Sequence, residues 1–201
     1  MIAITIKELI TFVDNVKPNV FTNEVKTEWI NEVEGKIQTD VFLLNITEIK
    51  QYYYTKKLPL HGVTFGDNVM HFVRDADILP GAYLTVKGLL TATENNSDTP
   101  RQVIRVEGGD VYFEDGTFTA EDTPETGNAD AVADDSGTAL LVDAPHDKLY
   151  RPYLMAQIDF ANADYDKYTN DMALFNAYYG EFVRWFARTY APANRRAWCN
   201  G

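Results

Sequence analysis

An α+β fold is predicted, in which the N- and C-terminal helices together form a discontinuous antiparallel helical bundle and a small β-rich domain is inserted between them. Three observations predict it. Apolar residues recur at helical spacing over residues 1–57, short β-type runs between glycines and prolines replace them from residue 58, and aromatic rings return at helical spacing after Asp147. With 201 residues, 45% of them hydrophobic and 13% aromatic, the chain is long enough to bury a sizeable core. The expected domains are residues 1–57 with 140–201, helical, and 58–139, β-rich.

The first helix opens on Thr5-x-x-Glu8, a capping box ahead of the apolar face Ile6, Leu9, Ile10 and Val13, and ends before Pro18. Thr22 is placed to cap a second helix, with Glu24 and Glu28 near its positive end. Val25, Trp29, Val33, Ile37 and Val41 then step by four, the expected buried stripe. Burying five such side chains is worth on the order of 10 kcal/mol before chain entropy is set against it. A third apolar stretch runs from Phe42 to Tyr54 and breaks at Lys56-Lys57.

Beyond residue 58 the period changes. Val63 to Phe65, Val69 to Val73 and Tyr83 to Val86 are strand-like, set off by Gly62, Gly66, Pro80-Gly81 and Gly88. Gln102 to Val106 and Asp110 to Glu114, joined at Gly108-Gly109, read as a hairpin. Asp115-Gly116 adds a turn, with a further strand expected over Thr117 to Thr119. Residues 120–139 hold almost no large apolar side chain and read as a flexible acidic linker.

Helix resumes near Asp147, a plausible cap, with Pro152 close to the first turn and a break between two antiparallel helices expected at Asn170-Asp171. In the last helix Phe175, Tyr178, Tyr179, Phe182, Trp185, Phe186 and Tyr190 widen the apolar stripe beyond what one small domain covers. Phe175, Phe182 and Phe186 are read as core. Tyr178, Tyr179, Trp185 and Tyr190 carry a polar end and are the candidate oligomer-interface residues. Pro192 stops the helix, and Arg195, Arg196 and Trp198 follow, either as a disordered terminus or as a tail that docks on a partner.

The net charge of −12 is uneven: twelve acids and no Lys or Arg lie between Arg105 and Lys148, leaving 18 acids against 18 bases elsewhere. Sequence-independent attraction to nucleic acid is not expected from such a chain. No run of eighteen apolar residues exists, the start lacks the pattern of a signal peptide, and the single cysteine, Cys199, fits a reducing cytoplasm. His61, His71 and His146 have no metal-ligand spacing, Asp75, Asp77, Asp134 and Asp135 lack the remainder of a calcium loop, and no nucleotide, zinc-protease or hydrolase motif occurs. The expectation is a non-enzymatic protein without cofactor or metal.

Two stretches carry a family resemblance. Residues 4–42, ITIKELITFVDNVKPNVFTNEVKTEWINEVEGKIQTDVF, and the pieces LLVDAPHDKLY, IDFANADYDKY and MALFNAYYGEF near the other end resemble the helices of tailed-phage and prophage head–tail connector, or head-completion, proteins. The resemblance covers residues 3–54 and 140–192, and the β segment is longer than that family leads one to expect. It implies a structural virion protein at the head–tail junction, made in the bacterial host cytoplasm, whose copies form a ring under the portal. The implied partners are further copies, the portal protein and a tail-side connector or stopper, with DNA passing through unread and no membrane involved. An acidic chain suits such a passage because carboxylates repel phosphates, and the same acids on the outside would keep free subunits soluble. The alternative is a phage-encoded binding module whose β insertion recognises a ligand or another virion protein.

Overall fold

The computed structural model describes residues 4–42 and 51–190. Among these, four α-helices and two four-stranded antiparallel sheets make an α+β fold. The chain divides into two compact units, one of Met1–Ile4, Leu9–Gln51 and Leu140–Gly201, the other of Thr5–Glu8 and Tyr52–Ala139.

Helix α1 spans Ile6–Val16 and helix α2 spans Asn23–Asp40. The capping box ahead of α1 forms in full: the Thr5 N–H donates to the Glu8 carboxylate at 2.8 Å, and the Glu8 N–H donates to Thr5 Oγ1 at 3.2 Å. Ile6, Leu9, Ile10 and Val13 are buried as their spacing predicts. Thr22 sits at the N-cap of α2 but makes no side-chain capping bond. The stripe on α2 differs from the strict step of four. Ile30, Val33 and Ile37 are buried together with Lys26, Thr27, Glu34 and Gln38, whereas Val25 and Trp29 are only half-buried. A helix has 3.6 residues per turn, so a step of four drifts off the contact face, and the face is restored by alternating steps of three and four. Lys26, 3% exposed, is accommodated because its ammonium reaches Asp14 at 2.6 Å.

In the same unit helix α3, Tyr150–Ala161, packs along helix α4, Tyr165–Tyr190, and against α2. The break between α3 and α4 falls at residues 162–164, not at Asn170-Asp171, which lie inside α4. Ala163 takes a positive φ of 58°, and Asp164 starts α4 by accepting the Tyr168 N–H on its carbonyl at 3.0 Å. Asp171 is instead a charge partner: Lys17 donates to Asp159 at 2.5 Å and to Asp171 at 2.9 Å.

The second unit holds strands β1 Lys56–Pro59, β2 Thr64–Phe65, β3 Val69–His71, β4 Tyr83–Lys87, β5 Arg101–Gln102, β6 Arg105–Glu107, β7 Asp110–Tyr112 and β8 Asp130–Asp134. One sheet has the order β1-β8-β4-β5 and the other β2-β3-β7-β6. The expected Gly-Gly hairpin is β6–β7, with Val106 opposite Val111. Gly108 has φ +60°, and a Cβ on Gly109 would lie 2.6 Å from the Phe72 carbonyl oxygen, so this tight turn needs both glycines. Leu84, Val86, Ala131 and Ala133 of one sheet and Phe65, Met70 and Val111 of the other belong to a single buried cluster.

Three further expectations change here. Lys56-Lys57 open β1 rather than break a helix, and residues 43–50 of the expected third helical stretch lie outside the described residues. Thr117 to Thr119 form no strand, although Phe118 is buried 4.9 Å from the Phe113 ring. Residues 120–139 are not a linker. They contain β8, hydrogen-bonded to β1 on one side and β4 on the other, and the buried Glu125, whose carboxylate accepts from the N–H groups of Leu90, Thr91 and Gly127. Ala129, Ala131 and Ala133 point inward as a period-two stripe of the smallest apolar side chain, which leaves the sequence looking polar although the strand is central.

Candidate interaction site

Helix α4 sorts its rings by depth. Phe175 and Phe182 are each 2% exposed, and Phe175 meets the Tyr153 ring at 5.0 Å. Phe186 is half-buried, its ring 4.9 Å from that of Phe42. Of the candidate interface residues, Tyr178 and Tyr179 are half-buried and engaged within their own unit. Lys148 lies 4.4 Å from the Tyr178 ring centroid while pairing with Glu181 at 2.9 Å. Tyr179 donates its hydroxyl to Asp40 at 3.3 Å, and burial together with that carboxylate pushes its phenol up to about 12. Trp185 and Tyr190 are 36% and 61% exposed. Arg195, Arg196 and Trp198 lie outside the described residues, as does Cys199.

Trp185 and Tyr190 border a cleft of about 140 Å³ whose other walls include Phe42, His146, Phe182 and Phe186. The His146 ring lies against Trp185 at 4.6 Å, and Phe186 meets Tyr190 at 4.6 Å. The segment beneath it is held by a buried polar group. Glu34, with no exposed surface, accepts the Tyr150 hydroxyl and, at 3.0 Å, the Leu141 N–H; the Val142 N–H donates to the Tyr150 hydroxyl at 3.1 Å. Residues 141–142 are thereby fixed where they line the cleft. Rigid rings around a preformed hollow are suited to receiving an aromatic or aliphatic side chain.

Two features were passed over in the sequence. Phe160 and Tyr165 flank the α3–α4 turn at 53% and 60% exposure, their rings 6.1 Å apart, and Phe160 also meets Tyr168 at 5.4 Å. The signal for them was an aromatic pair bracketing Asn162-Ala163-Asp164, visible only once the turn is known to lie there. The β-rich unit also carries its own cleft, of about 650 Å³, walled by Leu58, Val63, Phe72 and Val73 with His61 and Arg74.

The other titratable candidates are placed as follows. His71 Nδ1 is 2.9 Å from Asp110, and Asp77 pairs with Lys56. Asp135 is 5% exposed, and burial raises its pKa to about 6. Among the described residues no group of three or more His, Cys, Asp or Glu side chains is arranged to hold a metal ion, and no helix is long and apolar enough to cross a membrane. Comparison with protein-family models and with curated proteins finds no match to this chain.

Proposed function

We propose that the protein is a structural, non-enzymatic virion component: a head–tail connector or adaptor whose copies assemble as a ring under the portal and link capsid to tail around the DNA channel. The observation that carries this reading is the aromatic cleft at the end of α4, where Trp185 and Tyr190 remain exposed after the rest of the helix has covered Phe175 and Phe182. Support comes from the resemblance of both terminal stretches to connector proteins and from the net charge of −12, which disfavours retention of DNA. Its partners are further copies, the portal protein and a tail-side connector or stopper. The direct test is capture of the portal protein of the same phage by the purified chain. Capture that Trp185→Ala weakens supports the proposal, and a chain that ignores the portal at high concentration overturns it.

A second reading is favoured by one observation, the cleft of about 650 Å³ in the β-rich unit. There the insertion would recognise a ligand or another virion protein, with the helices as scaffold. Val73 is 73% exposed at that cleft, so Val73→Glu should leave the fold intact. Loss of virion-protein binding in that variant, with Trp185→Ala silent, would select the second reading.

A further inference from the structure

We infer that the cleft of the β-rich unit is a site for a small molecule with an apolar body and one anionic group, which Arg74 receives. The inference rests on the second reading, in which this unit does the recognising, and gives the ligand its chemistry.

The cleft lies between the outer edge of β1 and residues 72–77, the stretch that follows β3. Strand β1 ends its sheet, paired with β8 alone among the described residues. Leu60 donates its N–H to the Ala129 carbonyl at 2.8 Å, and backbone direction alternates along a ladder, so Lys57 and Pro59 turn theirs away from β8. Residues 72–77 do not complete the sheet, because Phe72 and Ala76 donate instead to the carbonyls of Gly109 and Gly108, at 2.8 and 3.1 Å. The two walls therefore part, and Leu58, Val63 and Phe72 line the space between them.

Its form selects a small molecule over a polypeptide. Both ends are shut: a Cβ on Gly62 would lie 2.6 Å from Val73 Cγ2, and Lys56 pairs with Asp77. Pro59 brings no N–H to the edge, so a visiting strand finds no regular ladder on β1. The volume of about 650 Å³ falls in the range of about 300–1,000 Å³ that small-molecule sites occupy.

The charges on the lining decide the ligand's sign. Asp77 is neutralised by Lys56. Asp75 Oδ1 lies 3.4 Å from where a Cβ on Gly108 would stand, which puts that carboxylate on the hairpin side of the segment. Arg74 is exposed and makes neither an ion pair nor a hydrogen bond among the described residues. The unanswered charge at the hollow is thus one guanidinium, whose planar fork accepts a carboxylate through paired N–H bonds. His61, exposed on the β1 side, adds a ring nitrogen.

The test titrates the full-length, isotope-labelled chain with three compounds of one shape, naphthylacetate, naphthylacetamide and naphthylethylamine, and follows amide shifts by NMR. Naphthylacetate should move the amides of Leu58, Val63 and Phe72 and bind about fivefold tighter than the amide, with the amine weakest. Arg74→Gln should bring the acetate down to the amide without altering the amide. Val73→Glu should abolish binding of both, and Trp185→Ala, in the other unit, should change neither. No shift at these residues up to about 5 mM, a weak-affinity range, overturns the inference. So does an acetate preference that survives Arg74→Gln, or an amine that binds as well as the acetate. Loss of virion-protein binding in Val73→Glu, with no naphthalene compound bound, would remove this inference and leave the second reading standing. Naphthylacetate bound as expected, with Trp185→Ala and not Val73→Glu abolishing virion-protein capture, would support the site and remove the second reading.

Discussion

Replacing Asp135 by Asn should change how the stability of the β-rich unit depends on pH. Asp135 is 5% exposed; its Oδ2 accepts the Tyr53 N–H at 2.7 Å and its own N–H donates to the Tyr53 carbonyl at 2.9 Å, tying residue 53 to the start of the turn after β8. Burial raises its pKa from 3.8 to about 6, against the opposing pull of the Tyr53 N–H and Lys56 and with further upward pushes from Asp134 and Asp77. A carboxyl that holds its proton more tightly folded than unfolded is penalised wherever it is ionised. The penalty is complete above the folded value of about 6 and disappears as pH falls through the unfolded value of 3.8. At about 1.4 kcal/mol per unit, the ionised carboxylate costs roughly 3 kcal/mol near pH 8 and roughly 1 near pH 4.5. Water reaches part of the group, so about 1.5 kcal/mol of that difference should survive. Asn keeps the acceptor for Tyr53 and does not ionise. Any constant cost of its amide cancels when the same variant is compared at two pH values. Urea unfolding of both proteins near pH 8 and near pH 4.5 should therefore show the variant gaining about 1.5 kcal/mol on wild type at the higher pH. A wild-type-to-variant difference that is flat within about 0.5 kcal/mol, or that moves the other way, would refute the reasoning.

Two further predictions concern the other unit and the start of the chain. Thr5→Ala removes the hydroxyl that accepts the Glu8 N–H and should cost about 1 kcal/mol in urea unfolding, with amide exchange rising in the first turn of α1. Tyr150→Phe deletes the donor to the fully buried Glu34 and the acceptor for the Val142 N–H; a loss of about 1–3 kcal/mol is expected, together with altered fluorescence of Trp185 as the segment lining the cleft loosens.

The features legible in the chain are those decided within one or two turns of backbone. The Thr5-x-x-Glu8 box forms as its spacing requires, and the Gly108-Gly109 hairpin turns where two β-type runs meet. The buried face of α1 likewise follows from its period. Where the reading failed, the deciding partners were distant. Val25 and Trp29 gave way to Ile30 and its neighbours because burial on α2 depends on what packs against it. The α3–α4 break shifted to residues 162–164 because Asp171 serves Lys17, 154 positions away, rather than a turn. The stretch from 120 to 139 carries its core contribution in alanines, so composition hid a central strand that pairing with β1 and β4 makes obvious.

The candidate site divides along the same line. That the last helix holds more aromatic surface than one face can bury is written in its spacing, and so is the contrast between Phe and the amphipathic rings. Which rings stay exposed was decided by packing. Lys148 and Asp40 engage Tyr178 and Tyr179, while Trp185 and Tyr190 are left around a cleft whose floor depends on Glu34 and Tyr150, 116 residues apart. Periodicity and capping are local energies that a short window of sequence already contains. Exposure is a property of the neighbours, and only the folded chain determines who they are.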